Sequence, residues 1–388
     1  MTQMEQIGAF LEEHRPAMLE LWKELVNMES YVGEPENVEK VLWRLKEEFE
    51  KEGFSCRVQD VGGGWAGTLV GIWGEENGGK PILFSGHLDT VFPKGSWGEN
   101  PFRIEGDKAF GPGALDMKGG AVISLYAIKA LKHLGYQESP IKIIFSGNEE
   151  KGHQGSAGAE VFLREGKDCL FAFNMETGLM DGCLCVGRKG HLGCRVTVEG
   201  VESHAGNDFE SGRSAIEEAA HKVLAIQALT DLEEGTTVNV GVIQGGTVPN
   251  AVAGSCQMDV DIRVLQEVGR QRVKAAIPQI VEHCQVEGTR GHVVFEKDAP
   301  IYETDEKVEK FYSYVCRVAE QEGFPVPGRK VLGGFSDAAY ISLAGTPVIC
   351  SFGVQGEWNH TKREYASVPS LTQRARLICA VVLHQKEF

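Results

Sequence analysis

Apolar and polar positions alternate along the first half of the chain in a way that predicts helices and strands in turn. The first 55 residues predict two helices, separated near Gly33 and Pro35. Beyond them, short apolar runs predict buried strands at residues 68–73, 82–84, 141–145 and 170–175, and helical spacing predicts helices at 121–134 and 157–164. This alternation favours an α/β fold with a mostly parallel sheet flanked by helices on both faces.

The pattern changes near residue 187. Residues 194–199 and 255–264 alternate apolar and polar side chains, which is typical of half-exposed antiparallel strands. The same region predicts two helices, at residues 214–229 and 268–286, and two further strands, at 238–243 and 292–296. Together these four strands and two helices follow the ferredoxin-like β-α-β-β-α-β order. The alternation of helices and buried strands seen before residue 187 resumes near residue 300, and it includes a predicted strand over residues 346–352. We therefore expect residues 1–186 and 300–388 to form one domain, and residues 187–299 to form an inserted domain.

Acidic residues and histidines follow the predicted strands of the first domain. The run before His87 is expected to end in a Ser-Gly turn, which would direct His87 and Asp89 to the same side. Further groups of this kind lie after other strands or before a predicted helix: Asp116, Glu149, Glu150, Glu176 and His360. One such strand end is typical of a solvated turn, whereas several predict a ligand site at the carboxyl edge of the sheet.

A metal is the ligand that these residue types favour. Imidazole nitrogen and carboxylate oxygen both bind zinc, and Asp89 is placed to hydrogen-bond the back of the His87 ring while the other ring nitrogen faces a metal. Asp181 competes with Glu176 for the fourth acidic position, but its Met-Asp-Gly flank indicates a turn, so we prefer Glu176. His153 follows Glu150 closely, but we assign it no role.

In order and spacing, His87-Leu-Asp89, Gly113-Ala-Leu-Asp116-Met-Lys-Gly119, Glu149-Glu150, Glu176 and His360 resemble one family of zinc peptidases. This is the M20-type family of aminoacylases, succinyl-diaminopimelate desuccinylase and carboxypeptidase G-type glutamate carboxypeptidases. The resemblance extends over nearly the whole chain, including the inserted domain. The segment Gly-Gly-Phe-Ser-Asp-Ala-Ala-Tyr at residues 333–340 favours the carboxypeptidase G-type members.

The resemblance implies a zinc-exopeptidase-like fold in which the inserted domain is a lid or dimerisation domain. It also implies two bound zinc ions, with cobalt and manganese as the alternative metals. The implied ligands are His87, Asp116 and Glu176 for one ion, and Asp116, Glu150 and His360 for the other. Asp116 would thus bridge the pair. Glu149 would act as the general base, and Asp89 would orient His87 without touching the metal.

Four further residues gain roles only through the resemblance. His204, in Glu-Ser-His-Ala-Gly, resembles a histidine that reaches across a dimer to stabilise the developing oxyanion, with Asn250 beside it. Arg263 would bind the carboxylate of the substrate, and Gly334 would help to bind the substrate. Taken singly, His204 is better explained as a loop histidine and Arg263 as an exposed charge on a strand, and the accompanying metal set is what favours the functional roles.

Composition narrows the class of partner and compartment. The 388 residues include 55 acidic and 39 basic side chains, and the net charge of −16 disfavours nucleic acid and anionic membranes as partners. No run approaches the ~18 apolar residues that a membrane span requires, and the first residues show no secretion signal. Ten cysteines, mostly in apolar segments, are expected to be reduced. These features together favour a cytoplasmic protein.

The leading hypothesis is a di-zinc amidohydrolase that cuts the amide next to a free α-carboxylate and releases an amino acid. Glutamate carboxypeptidase-like activity on a small peptide is the first choice, and deacylation of an N-acyl amino acid is the alternative. We also expect a homodimer formed through the inserted domain. A metal-binding relative without catalysis would require a damaged site. A two-metal phosphoesterase would require a basic phosphate clamp, and none lies near the candidate ligands.

Overall fold

A computed structural model describes residues Met1–Phe388. It divides into two compact units. The first comprises Met1–Gly187, Thr304–Val331 and Ser336–Phe388, and the second comprises Arg188–Glu303 and Leu332–Phe335. Whereas the sequence suggested changes at 186/187 and 299/300, the units change at 187/188 and 303/304. Residues Leu332–Phe335 also belong to the second unit, and no feature of the sequence indicated this.

Nine α-helices occur, and local signals explain where several of them begin. The Thr2 hydroxyl accepts a hydrogen bond from the backbone N–H of Glu5 (3.1 Å), and the Glu5 carboxylate accepts one from the backbone N–H of Thr2 (2.7 Å). This reciprocal cap starts the first helix, while Pro35 starts the second. The helices are α1 Gln3–Asn27, α2 Pro35–Lys51, α3 Gly119–His133, α4 Gly158–Glu165, α5 Ala215–Gln227, α6 Glu267–Glu282, α7 Glu306–Gln321, α8 Ala338–Leu343 and α9 Val368–Leu383.

The strands range from two to ten residues in length. They are β1 Ser55–Gln59, β2 Thr68–Trp73, β3 Ile82–His87, β4 Arg103–Glu105, β5 Lys108–Phe110, β6 Ile141–Ser146, β7 Phe171–Asn174, β8 Gly178–Leu179, β9 Leu184–Arg188, β10 Gly190–Glu199, β11 Ser203–His204, β12 Thr237–Gly245, β13 Ala251–Val252, β14 Ser255–Val264, β15 Arg290–Ala299, β16 Arg329–Leu332, β17 Val348–Ile349, β18 Gln355–Glu357 and β19 Tyr365–Ser367.

The first unit is built on a six-stranded sheet in the order β1-β2-β6-β3-β7-β17. The strands β6, β3, β7 and β17 are parallel neighbours, while β1 and β2 extend the sheet in antiparallel pairing. Strands β3 and β7 are buried along their whole length, which explains their unbroken apolar runs. Stacked rings of Phe171 and Phe311, with centroids 4.6 Å apart, join this sheet to α7. The expected α/β fold is confirmed.

The expected Ser-Gly turn before His87 is wrong. Strand β3 continues through Ser85 and Gly86 to His87, pairing with β6 throughout. A Cβ at position 86 would lie 2.3 Å from the sulfur of Met117, so any larger residue would require the Met117 side chain to move. The predicted strand over residues 346–352 is also shorter than expected, since only Val348–Ile349 pairs with β7.

A second sheet of the first unit escaped the sequence analysis. Its order is β4-β5-β19-β18-β8. Each strand has only two or three residues and most are partly exposed, so no apolar run or regular alternation marks them. The loop between β18 and β19 contains His360, so this small sheet holds one of the candidate ligands.

The second unit has a four-stranded antiparallel sheet in the order β12-β14-β10-β15. Helices α5 and α6 pack against it and complete the predicted β-α-β-β-α-β succession. Side chains of β10 and β14 alternate between buried and more exposed positions, as their sequence pattern predicts. The core includes Val196, Met258, Ile262, Val273 and Ile277, all fully buried. None of the helices in either unit is long and apolar enough to span a membrane.

Candidate metal centre

Three parallel strands of the main sheet deliver most of the candidate ligands to one edge. Strand β3 ends at His87, β6 leads into the turn Glu149–Lys151, and β7 is followed by Glu176. The carboxyl ends of parallel neighbours lie together, so side chains that are far apart in sequence meet there. His87, Glu149 and Glu176 are each at most 7% exposed.

The imidazole of His87 faces a group of carboxylates. Its Nε2 atom lies 3.1 Å from Oδ1 of Asp116 and 3.4 Å from Oε1 of Glu176. Oε2 of Glu149 lies 4.0 Å from the same nitrogen. A nitrogen that points at several buried carboxylate oxygens is a suitable donor for a shared cation.

His360 meets the other side of this group. Its Nε2 atom is 3.2 Å from Oδ2 of Asp116 and 3.2 Å from Oε2 of Glu150. Asp116 therefore presents one oxygen to each histidine, which is the arrangement a bridging carboxylate requires. His360 has a φ of 61°, in the left-handed region that few side chains other than glycine adopt. The loop thus holds this ring in an uncommon backbone conformation.

Asp89 contacts the ring nitrogen of His87 that faces away from the carboxylates, and it also accepts hydrogen bonds from the turn that contains Glu149 and Glu150. The back nitrogen of the His87 ring, Nδ1, is 3.0 Å from the backbone oxygen of Asp89 and 3.4 Å from its carboxylate. The backbone oxygen is therefore the closer partner, although we expected the carboxylate. The carboxylate instead accepts hydrogen bonds from the backbone N–H groups of Glu149 (3.2 Å) and Glu150 (3.0 Å). It therefore fixes the acidic turn as well as contacting the ring.

Two residues that the sequence analysis missed hold Asp116. Buried Glu364 accepts hydrogen bonds from the backbone N–H groups of Leu115 (3.0 Å) and Asp116 (3.3 Å). Asn359 donates from its side-chain amide to Oδ2 of Asp116 at 3.0 Å. The segment Ala114–Lys118 is irregular, and the Asp116–Met117 peptide bond is cis. Asn359 precedes His360 and Glu364 follows it closely, but the sequence does not indicate that they turn inward.

Burial and crowding shift the pKa of several of these groups. Burial raises the pKa of Glu150 to about 7, although its contact with His360 opposes the shift. Burial also raises the pKa of Glu149, and the charges of Glu176, Asp337 and Glu150 add to the effect. Hydrogen bonds with Asp116 and Glu150 raise the pKa of His360 to about 11. The protons on these groups offset a concentration of negative charge, which is the role that a cation would take over.

The donor set fits divalent metal ions. Donor atoms of two triads lie within 4.8 Å of one another: His87, Glu149 and Glu176, and His87, Asp116 and Glu150. Imidazole and carboxylate are the ligands that zinc, cobalt and manganese accept. These residues would hold a divalent metal at the carboxyl edge of the sheet, where Asp116 lies between the two histidines.

Asp181 lies outside the donor cluster. Its carboxylate forms an ion pair with Lys330 and accepts a hydrogen bond from the backbone N–H of Cys183 (3.0 Å). The Lys330 contact lowers the pKa of Asp181 to about 2. Of the two candidates for the fourth acidic position, the structure brings only Glu176 to His87.

His204 and Asn250 come together in the second unit. Strand β11 pairs with β13 at His204 and Ala251, and the backbone N–H of Ala205 donates to the carbonyl of Asn250 at 3.0 Å. Nδ1 of His204 accepts from the backbone N–H groups of Gly206 (3.1 Å) and Asn207 (3.0 Å). With Nδ1 occupied as an acceptor, the neutral ring presents its proton on Nε2. This exposed histidine is therefore arranged as a hydrogen-bond donor.

The other two predicted substrate contacts lie elsewhere in the second unit. Arg263 forms a bidentate ion pair with Asp261 on the same strand, with distances of 3.0 Å and 3.1 Å. It pairs across the sheet with Thr237, at the opposite end of β12 from the loop that contains Asn250. The Gly334 carbonyl accepts a hydrogen bond from Arg188 at 3.2 Å.

The model of the M20/M25/M40 peptidase family matches residues 83–384. The chain belongs to this family. It is 28% identical over 374 residues to carboxypeptidase G2 of Pseudomonas sp. (strain RS-16), covering 96% of this chain and 90% of that protein. It is 30% identical over 387 residues to acetylornithine deacetylase of Myxococcus xanthus, covering 95% and 97%. The crystal structure of aminopeptidase PepT from Bacillus cereus ATCC 10987 has a TM-score of 0.81 at 25% identity, covering 96% of this chain and 99% of that one.

Membership of the M20 family, together with the intact donor cluster, makes the protein a metal-dependent hydrolase. The resemblance drawn from the sequence is confirmed. The alternative of a relative that binds metal without catalysis required a damaged site. Instead, every predicted donor of the first unit lies within the cluster.

We predict that Asp89→Asn will weaken metal binding without removing a ligand. The amide oxygen can replace only part of the carboxylate, so both the His87 ring and the Glu149–Glu150 turn lose support. Losing a partner of this kind typically costs about 10- to 100-fold in metal affinity. Competition with a chromophoric chelator measures the change. Asp181→Asn, outside the cluster, is the matched control, and equal affinity for Asp89→Asn and the wild type would contradict the role.

Proposed function

We propose that this protein is a di-zinc amidohydrolase that hydrolyses an amide next to a free α-carboxylate, with glutamate carboxypeptidase-like specificity. The observation that supports it best is the buried cluster in which one carboxylate, Asp116, faces both His87 and His360. Glu150 and Glu176 complete the two ligand sets. When bound there, a pair of zinc ions would activate water and polarise the scissile carbonyl.

Glu149 is the proposed general base. It lies at the edge of the cluster, 4.0 Å from His87 Nε2, farther than the 3.4 Å of the Glu176 contact. Its backbone N–H donates to the Asp89 carboxylate, and burial raises the pKa of the Glu149 carboxyl. It would take a proton from the attacking water and deliver it to the leaving nitrogen.

His204, Asn250 and Arg263 are the proposed substrate contacts of the second unit. His204 would donate from Nε2 to the developing oxyanion, with Asn250 beside it. Arg263 would bind the free carboxylate, since Asp261 occupies Nε and one N–H of Nη2 and leaves further donors on the guanidinium. Gly334 would help to bind the substrate as part of the segment 333–340.

A homodimer formed through the second unit is part of the proposal. Arg263 lies seven positions after Cys256 on β14, which is about 24 Å along the strand. His204 and Asn250 lie beyond the Cys256 end of β14, so one small substrate cannot contact both Arg263 and the His204–Asn250 pair of the same chain. We infer that Arg263 and the His204–Asn250 pair of one chain contact substrates bound to different copies of the protein. The edge strand β12 exposes Val242 and Ile243, and an apolar recess of about 550 Å³ lies beside His204 and includes Phe209.

The compartment is proposed to be the cytoplasm. All ten cysteines are free thiols, and several of them are buried in the core. Free buried cysteines are typical of proteins from reducing compartments.

N-acyl amino acid deacylation is the alternative function. The 30% identity to an acetylornithine deacetylase is the observation that favours it. Both reactions hydrolyse an amide beside a free carboxylate with the same metal chemistry, so only the pocket for the other side of the amide separates them. A peptidase that requires a free amino terminus, suggested by the similarity to aminopeptidase PepT, is a further outcome to test.

A substrate panel tests the proposal. The zinc-loaded protein is offered N-acyl-glutamates, N-acetyl forms of other amino acids, dipeptides and a tripeptide, and the released amino acid is measured. The largest kcat/KM is expected for a C-terminal glutamate with an aromatic acyl or peptide group. A preference for small acyl groups on any amino acid would favour the deacylase. No release from any member would reject both.

We predict that Glu149→Gln will abolish most turnover and retain the metal. The amide preserves the size and polarity of the side chain but cannot accept a proton. General base catalysis typically contributes between about 100- and 10,000-fold, so kcat should fall within that range. The kinetics are measured beside metal analysis of the same sample. Retained activity at full metal content would remove the assignment.

We predict that His204→Ala will lower kcat by about 100-fold, the typical cost of one oxyanion donor, with unchanged metal content. If His204 acts on the partner's site, mixing inactive His204→Ala and Glu149→Gln chains should restore activity. Each mixed dimer would then contain one site with both groups intact.

Proof that mixed dimers form comes from differently tagged chains purified over two resins. Ile243→Lys, which places a charge on the exposed edge of β12, provides the matched control because it should prevent dimer formation. No recovery in proven mixed dimers would show that each site is completed within one chain.

A further inference from the structure

A buried histidine–carboxylate pair lies next to the turn that contains Glu149 and Glu150. His153 is 4% exposed and Asp337 is 1% exposed. Nε2 of His153 lies 2.6 Å from Oδ1 of Asp337. Two aromatic rings, those of Phe162 and Tyr340, pack around the imidazole with centroids 5.7 Å and 5.6 Å away. The sequence alone indicated no role for His153, but in the structure it has a close partner 184 residues away in the chain.

The second nitrogen of this ring is satisfied as well. Nδ1 of His153 lies 2.8 Å from Oδ1 of Asn148. The orientation of the Asn148 amide is fixed because its Nδ2 donates to the Ser156 hydroxyl at 2.8 Å, while that hydroxyl donates to the His153 carbonyl at 3.1 Å. Both ring nitrogens therefore face oxygens of buried or partly buried partners, Asn148 and Asp337, and the ring is held between these two side chains.

The same carboxylate also holds the strand that leads into the acidic turn. Oδ2 of Asp337 accepts a hydrogen bond from the hydroxyl of Ser146, the last residue of β6, at 2.9 Å. Ser146 and Asn148 precede Glu149, and His153 follows Glu150. The chain on both sides of the two glutamates is thus fastened to one buried carboxylate.

Ser336 extends this connection to the neighbouring strands. Its hydroxyl donates to Oδ1 of Asn174 at the end of β7 (3.2 Å), and Nδ2 of Asn174 donates to the hydroxyl of Ser85 in β3 (3.2 Å). Residues 336–337 thus contact the strands that lead to Glu149 and Glu176, and Asn174 connects them to the strand that leads to His87. All of these side chains are buried, so water does not compete for the hydrogen bonds.

We propose that the His153–Asp337 pair is a positioning element for the reaction, which fixes the turn that contains Glu149 relative to the strands that deliver the metal ligands. Neither residue is expected to touch the substrate or a metal. Their effect is exerted through the placement of the Glu149 carboxylate, since a catalytic group displaced by about 1 Å can lose about 100-fold in rate.

A kinetic comparison tests the pair on the substrate that the wild type hydrolyses best. Asp337→Asn replaces the ionic acceptor by an amide of the same size and should lower kcat about tenfold or more, with KM within about twofold of wild type and full metal content. His153→Gln should behave likewise. The double variant should lose much less than the product of the two single losses, because the two residues act as one unit.

Tyr314→Phe is the matched control for a purely structural effect. It removes a buried hydrogen bond from the first unit, that between the Tyr314 hydroxyl and the Val381 carbonyl at 2.6 Å, without approaching the metal centre. It should lower the melting temperature and leave kcat unchanged well below that temperature. If Asp337→Asn only lowers the melting temperature in the same way, the positioning role is rejected.

A second readout does not depend on the hydrolase activity proposed above. Hydrogen–deuterium exchange of the metal-free protein follows the backbone of residues 146–155 directly. Faster exchange there in Asp337→Asn, but not in Tyr314→Phe, is expected, and unchanged exchange would overturn the proposal. The two proposals can fail separately. If Asp337→Asn exchanges faster but the wild type hydrolyses no amide, the positioning role of the His153–Asp337 pair is supported and the proposed function is rejected.

Ser146→Ala provides a milder variant if Asp337→Asn does not fold. It removes only the hydrogen bond to Oδ2 and keeps the His153 contact. The same increase in exchange and a smaller loss of kcat, about threefold, are expected. Wild-type values for both quantities would overturn the proposal.

Discussion

The concentration of like charge at the carboxyl edge of the main sheet is the constraint on which the first unit depends. Asp116, Glu149, Glu150 and Glu176 lie within a few ångströms of His87 or His360, and most of their surface is buried. Carboxylates at such distances repel one another strongly in a medium of low dielectric constant. Burial raises the pKa values of Glu149 and Glu150, and the charges of neighbouring carboxylates add to the shifts. A divalent metal, which membership of the M20 family implies, would offset this repulsion.

A site of this kind needs supports that hold the donors in place against their repulsion. Backbone N–H groups meet buried carboxylates at two points: Asp89 holds the acidic turn, and Glu364 holds the segment of Asp116. Asp337 accepts instead from the side chains of Ser146 and His153. None of these three carboxylates belongs to the proposed ligand set. The metal centre is thus surrounded by a second set of acidic groups that act through hydrogen bonds rather than by coordination.

In the second unit, the candidate functional side chains are fixed at the surface and not in a buried cluster. Its sheet is exposed on one face and its groups of interest lie at the surface, where hydrogen bonds and ion pairs fix individual side chains. Backbone donors set the tautomer of His204, and Asp261 orients Arg263. Their separation along β14 limits which of them can meet at one substrate molecule. A dimer resolves this limit in the proposed function, since one chain would then supply groups to the site of another.

Much of this protein follows from its sequence. The unbroken apolar runs of β3 and β7 and the alternation of β10 and β14 predicted the parallel and antiparallel sheets, because burial on two faces or one face imposes these periods. The ordered set from His87 to His360 predicted the cluster, since each residue sits where a strand or loop must turn at the same edge.

The tertiary structure decided what local pattern does not encode. The short strands around His360, the inward turns of Asn359 and Glu364, and the separation of Glu176 from Asp181 depend on contacts with distant parts of the chain. The partner of His153 lies 184 residues away, so no window of sequence could indicate it. Periodicity reports whether a side chain is buried, but which buried polar groups meet depends on how the strands are ordered in space, and that order is a property of the whole fold.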